Sequence, residues 1–268
     1  MKLSIPRMTN GMATTFVAIS LGVCLMPCPS DCAEQDRKNR YSVQGGFTYQ
    51  VFALRREGEP SEEKPLSREF EVVVDDCDWK VTIVLVGNTQ FDSFVYSGDG
   101  SRVDHYSTLP GGRRISSSTE DSPVPGTRTS AAGEYVWLAF ASGCYLRGRT
   151  NDLITSFDRR QTAPDFVQRY EVPCRVSLSP VSPFLPLEIL YVKTNQNSRP
   201  LPASFGTNGY VSAALKSSAF TNVNGLTIPT KFEYRKFQPM FEAKTTNDLR
   251  LVLLVSGSVT NISATAPR

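Results

Sequence analysis

A single histidine, His105, is all that the 268 residues supply. Any serine–histidine–aspartate or cysteine–histidine mechanism would have to run through it, and a metal site built on several imidazoles is excluded. No Gly-x-Ser-x-Gly elbow occurs anywhere in the chain. Asp104 and Tyr106 flank His105, and on a strand such neighbours point to the opposite face. His105 is therefore expected as a surface or turn-flanking residue without catalytic partners. Charge of one sign is lacking too. The 29 Lys and Arg and 26 Asp and Glu are scattered instead of gathered in runs, which gives no footprint for nucleic acid. Nor is there a glycine-rich phosphate loop, because Gly98-Asp99-Gly100 is followed by Ser101-Arg102 and not by a further glycine and a helix. Asp75, Asp76 and Asp78 form the only acidic cluster, and it lacks the spacing of a twelve-residue calcium loop. It reads as an acidic turn. No cofactor, metal or catalytic group is expected.

Long hydrophobic runs are also absent. The stretch Ala13 to Met26 is interrupted by Thr14, Thr15 and Ser20 and is too short to span a bilayer comfortably. Preceded by Lys2 and Arg7, it has the form of a secretory signal peptide, with cleavage expected between residues 31 and 34. Residues 1–33 are thus expected to be the signal and residues 34–268 a single β-rich domain, exported to the periplasm or secreted. Lipid attachment at Cys24 and a buried N-terminal helix are the alternatives for this segment. Removing the leader takes Cys24, Cys28 and Cys32 with it. Cys77, Cys144 and Cys174 remain, an odd number that permits at most one intramolecular disulfide and has no zinc-site spacing.

What the chain has in quantity is alternation. Phe47, Tyr49 and Val51 alternate with Thr48 and Gln50; Phe70, Val72 and Val74 alternate with Glu71 and Asp75; Trp79, Val81, Ile83 and Leu85 alternate with Lys80 and Thr82. That is the period of half-buried strands. Phe91 to Tyr96 and Val103 to Leu109 flank Asp99-Gly100, and Tyr210 to Phe220 and Ile228 to Phe237 flank Asn224-Gly225, both tight-hairpin signals. Leu187, Ile189 and Tyr191 mark a further strand after the proline-rich stretch 177–186, which reads as an extended linker. Leu249 to Val259 is so continuously apolar that burial on both faces is expected. Flexible loops are expected near 55–68, 111–133 and 193–209. Residues 134–146 follow neither period and favour a helix through Leu138, Ala139 and Ala141, although Gly143 limits its length. A second short helix, capped by Asn151 or Asp152, would end before Pro164.

The count is nine to eleven strands and one to three helices, with connections unsuited to βαβ crossovers. The fold class is mainly β with minor α: a strongly curved, half-barrel-like antiparallel sheet with one to three short helices as a cover. Most of the fifteen Phe, ten Tyr and two Trp are expected in the core that covers one face of the sheet, and any excess would line a pocket. On a half-barrel the concave face has no second sheet against it, so Trp79, Phe91, Trp137, Phe140, Tyr191 and Phe232 are the candidates to line an apolar, ligand-binding cavity closed by the helical segment.

The strand ending in Tyr96-Ser97-Gly98-Asp99-Gly100 and the hairpin Val223-Asn224-Gly225-Leu226-Thr227-Ile228-Pro229-Thr230, following a signal peptide, resemble the outer-membrane lipoprotein carrier superfamily over residues 45–260. The resemblance implies an antiparallel half-barrel with a helical lid over an apolar cavity, and a periplasmic protein that binds acyl chains or lipidated partners. The segments 111–133 and 193–209 have no counterpart in that pattern, so no binding residue transfers. Two functions follow as expectations. One is a non-catalytic periplasmic or envelope protein that binds a lipid or a lipidated protein. The other is a structural or assembly component of the envelope that works through its loops.

Overall fold

Twelve strands among the described residues belong to one antiparallel sheet. The computed structural model describes residues 40–54, 60–62, 64–75, 78–99, 101–121, 131–143, 174–178, 185–193, 209–240 and 248–264. The expected leader, Cys77, Cys144, the helix expected at 151–164 and nearly all of the loop expected at 193–209 lie outside the described residues. The strands are β1 (Tyr41–Leu54), β2 (Pro60–Glu62), β3 (Leu66–Asp75), β4 (Asp78–Val84), β5 (Ser93–Gly98), β6 (Val103–Thr108), β7 (Arg114–Glu120), β8 (Cys174–Leu178), β9 (Pro186–Lys193), β10 (Tyr210–Val223), β11 (Leu226–Pro239) and β12 (Leu249–Ala264). Between β7 and β8 lies α1 (Ala131–Val136), which runs directly into a π-helical turn, Trp137–Ala141.

The sheet order is β7-β6-β5-β4-β3-β1-β12-β11-β10-β9-β8, with β2 paired to the end of β1. Two meanders, β3 to β7 and β8 to β12, are each built from neighbours in sequence, as short connections favour. They are joined at the centre, where β1 pairs with β3 on one side and with β12 on the other. The first and last described strands therefore meet in the middle of the sheet, and among the described residues its edges are β7 and β8.

The alternating residues set which face is inside. Phe70, Val72 and Val74 of β3 and Trp79, Val81 and Ile83 of β4 are buried, whereas Glu69, Lys80 and Val84 are exposed. The sheet is open and curved, and small residues and register shifts accompany the curvature. An extra residue interrupts the β1–β12 ladder between Gln44 and Gly45, and another interrupts β11–β12 between Lys236 and Phe237; such bulges bend a strand and increase its twist. Gly45 and Gly257 sit under aromatic rings. A Cβ on Gly257 would come within 2.1 Å of the Phe232 ring, and one on Gly45 within 2.2 Å of the Ser258 carbonyl oxygen and 2.7 Å of the Phe70 ring. Only glycine lets the concave face fold this tightly over its own rings.

Both hairpin signals sit where the sequence places them. Asn224 and Gly225 have φ of 53° and 86°, as a type I′ turn requires, and Val223 pairs with Leu226 across it. Asp99 builds the other turn with its side chain, whose Oδ1 accepts from the backbone N–H of Ser101 (2.9 Å) and of Arg102 (2.9 Å) and from the Ser101 hydroxyl (2.8 Å).

Four expectations change. Residues 111–133 contain an edge strand, β7, which needs few apolar residues because it is largely exposed; the loop is confined to less of the chain, and 122–130 lie outside the described residues. The segment 55–68 contributes β2 and the start of β3. The proline-rich stretch begins inside a strand, β8. The fourth concerns β12, which is not buried on both faces: Leu249 through Leu254 are half-buried, and only Val255 and Gly257 are fully buried. Its apolar run lies at one end of the curved sheet, past the reach of the helical segment.

Candidate functional site: the concave face and its helical plug

Register assembles the concave face row by row. Tyr41 pairs with Val74, Val74 with Trp79 and Trp79 with Gly98; the next row is Val43, Val72, Val81, Tyr96 and His105. Toward the other meander, Phe47 pairs with Gly257, Gly257 with Phe232 and Phe232 with Ser217, and the following row runs Tyr49, Val255, Tyr234, Leu215 and Ile189. These side chains share one face because residues two apart on a strand do. They form one core cluster with the helical segment.

The helical segment lies across this face. Helix α1 packs on β4 and β5, and the π turn packs on β3, β4, β10 and β11, so a single segment touches both meanders. All five residues of the π turn are buried. Gly133 marks the closest approach, since a Cβ there would come within 2.2 Å of the Tyr96 ring. A π turn alters which backbone carbonyls are paired within the helix. The backbone N–H of Ser142 reaches back to Trp137 O, the Ser142 hydroxyl donates to Leu138 O at 2.9 Å, and the Tyr41 hydroxyl, from the first residue of β1, donates to Phe140 O. Side chains thereby satisfy buried carbonyls that would otherwise cost about 1–3 kcal/mol each.

Of the six residues singled out in the sequence, four meet around the plug. Trp79 and Trp137 make an edge contact with ring centroids 5.8 Å apart, and Phe140 and Phe232 make another at 5.6 Å and 90°. Tyr191, on β9, is buried in the same core. Phe91 is only partly buried; it lies in the β4–β5 connection, where it packs on Phe94 at 5.8 Å and its backbone N–H bonds to Asn88 Oδ1. Residues not singled out are as central. Phe70 stacks on Phe140 at 5.6 Å and contacts Phe232 at 5.9 Å, and Tyr135 stacks on Tyr234 at 4.4 Å. The alternation of Phe70 with Glu69 and Glu71 carried that signal. The packing of Tyr135 depends on the helix path, which alternation does not reveal.

His105 is not a surface or turn-flanking residue. It sits mid-strand on β6, on the concave face, half-buried, with its ring 4.8 Å from that of Tyr96. Burial pushes its pKa down, with Glu120 opposing more weakly. Its Nε2, the Trp79 indole N–H and the Ser217 hydroxyl are buried without a hydrogen-bond partner among the described residues. Burial also pushes the Tyr135 and Tyr234 phenols well up, helped by Glu134 and by neighbouring phenols.

These features define a class of architecture: an open, curved antiparallel sheet whose aromatic concave face is covered, among the described residues, by one short helical segment. Solved structures with a loose likeness include a LolA superfamily protein from Nitrosomonas europaea, with 11% identity, a TM-score of 0.37 and coverage of 88% of this chain and 91% of that one. Another is a DUF1329 family protein from Desulfovibrio piger, with 12% identity, a TM-score of 0.40 and coverage of 88% and 89%. No protein-family model matches the chain, and no curated protein matches it.

Proposed function

We propose that the protein is a non-catalytic, exported binder of a hydrophobic ligand, an acyl chain of a lipid or of a lipidated protein, held on the concave face beneath the helical segment. The observation that carries this reading is the cover itself. Among the described residues, a face that is apolar across eight or more strands is covered by one short segment, Ala131–Ala141, and not by a second sheet. Trp79, Trp137, Phe140 and Phe232 now occupy one another's contacts, and displacement of the segment would hand those contacts to a ligand of like polarity. Tyr191 and Phe91 would extend the lining toward β9 and the β4–β5 connection. An apolar chain replaces apolar contacts at little net cost, at roughly 25 cal/mol per Å² of surface removed from water.

The test is uptake of a fluorescent fatty acid by delipidated protein. Saturable uptake is expected, weakened about tenfold by Trp137→Ala or Phe140→Ala, which corresponds to losing roughly 1.4 kcal/mol of contact. No uptake by the folded wild type would sink the reading.

A further inference from the structure

Three tyrosines stand together at one end of the concave face. Tyr49 and Tyr234 flank Val255 in the same row, one on β1 and the other on β11, and Tyr135 of α1 stacks on Tyr234. Two cations flank the group. The Arg68 guanidinium lies over the Tyr49 ring, 5.8 Å from its centroid, and Lys236 follows Tyr234 on the same face of β11, exposed to solvent. One carboxylate, Glu134, lies next to Tyr135 in sequence. Its field and the burial of the rings both favour the neutral phenols, so Tyr135 and Tyr234 remain O–H donors throughout the physiological range.

We infer that Tyr49, Tyr135 and Tyr234, with Arg68 and Lys236, form the subsite for an anionic headgroup, a carboxylate or phosphate, on an amphiphile whose tail lies along the aromatic rows. The inference rests on the proposed acyl-chain binding and adds its polarity. Neutral phenol donors and two cations match an anion's acceptor oxygens. The position also fits a head-out ligand: the row containing Phe47 and Phe232 lies on the inner side of the tyrosines, and the solvent-exposed Lys236 lies on the outer side.

Dodecanoate, its methyl ester, dodecyl phosphate and inorganic phosphate separate the possibilities when each competes with the fluorescent acid on the full-length protein. Dodecanoate or dodecyl phosphate should bind about tenfold or more tightly than the methyl ester, as charge-assisted hydrogen bonds would give. Lys236→Gln, at an exposed position, and Tyr234→Phe should each shrink the preference for the acid over the methyl ester; an unchanged preference in both would overturn the subsite. Equal binding of ester and acid by the wild type would overturn the headgroup site while leaving acyl binding in place. If inorganic phosphate competed as well as dodecyl phosphate, the tail would contribute nothing and the inference would fail. Binding of none of the amphiphiles would remove the underlying reading together with it.

Discussion

His105 and Asp99 show how single residues on this sheet are tied to pH. Burial against Tyr96 costs imidazolium its hydration, so the folded-state pKa of His105 lies below the ordinary 6.5. A group depressed in the folded state contributes fully above its unfolded pKa, and that contribution is lost as pH falls through the folded value. Stability should therefore decline as pH drops from about 6.5, before carboxylates titrate. Replacing His105 with Asn should flatten the denaturation midpoint between pH 6.5 and about 5, measured by urea unfolding at several pH values; an unchanged slope would show that the ring is solvated. Asp99 acts lower on the scale. The backbone N–H of Ser101 is the main cause of its depressed pKa, so the turn it builds persists above 3.8 and loosens only as pH falls below that. His105 was the residue hardest to place from sequence. Its neighbours Asp104 and Tyr106 place it on the face opposite to theirs, but only the pairing of β5 with β6 shows that its own face is the concave one.

Among the elements, the helical segment depends most on contacts distant in sequence. Tyr41 lies 99 residues from Phe140 yet its hydroxyl supplies the carbonyl's partner in a buried site. Tyr41→Phe keeps the ring and strands the carbonyl, so it should lower stability by about 1–3 kcal/mol. In hydrogen exchange, the amides of residues 137–143 should lose more protection than those of the β3–β4 hairpin; a uniform loss would place the effect in the sheet instead. The strands and hairpins were legible because their signals are local: alternation for β3 and β4, Asn224-Gly225 for the β10–β11 turn. The π turn was not. Trp137, Leu138, Ala139, Phe140 and Ala141 are apolar all round, and that pattern specifies burial without specifying helix type. Edge strand β7 escaped for the opposite reason, since Arg114–Glu120 carries almost no apolar signal and is held by its ladder to β6.

On the scale of the whole molecule, β1 between β3 and β12 joins two meanders into one sheet, and glycines under Phe70 and Phe232 accompany its curvature. The inward-facing aromatics were legible from their alternation along the strands. Their layout was not, because the rows emerge only from register across strands more than two hundred residues apart, such as Phe47 with Gly257. That register also explains why the apolar run of β12 is only half-buried: the plug covers the rows of Phe232 and Tyr234, and Leu249 to Leu254 extend past them.

Both tryptophans of the chain, Trp79 and Trp137, lie in the candidate site, one on the sheet and one on the plug. Their fluorescence therefore reports directly on ligand entry. A fatty acid brominated along its chain quenches an indole only on contact, and the account predicts saturable quenching at one ligand per protein. In Trp79→Phe and Trp137→Phe proteins, the remaining indole should be quenched in each. Saturable binding of the brominated acid that leaves both indoles unquenched would contradict a ligand held between the sheet and the helical segment.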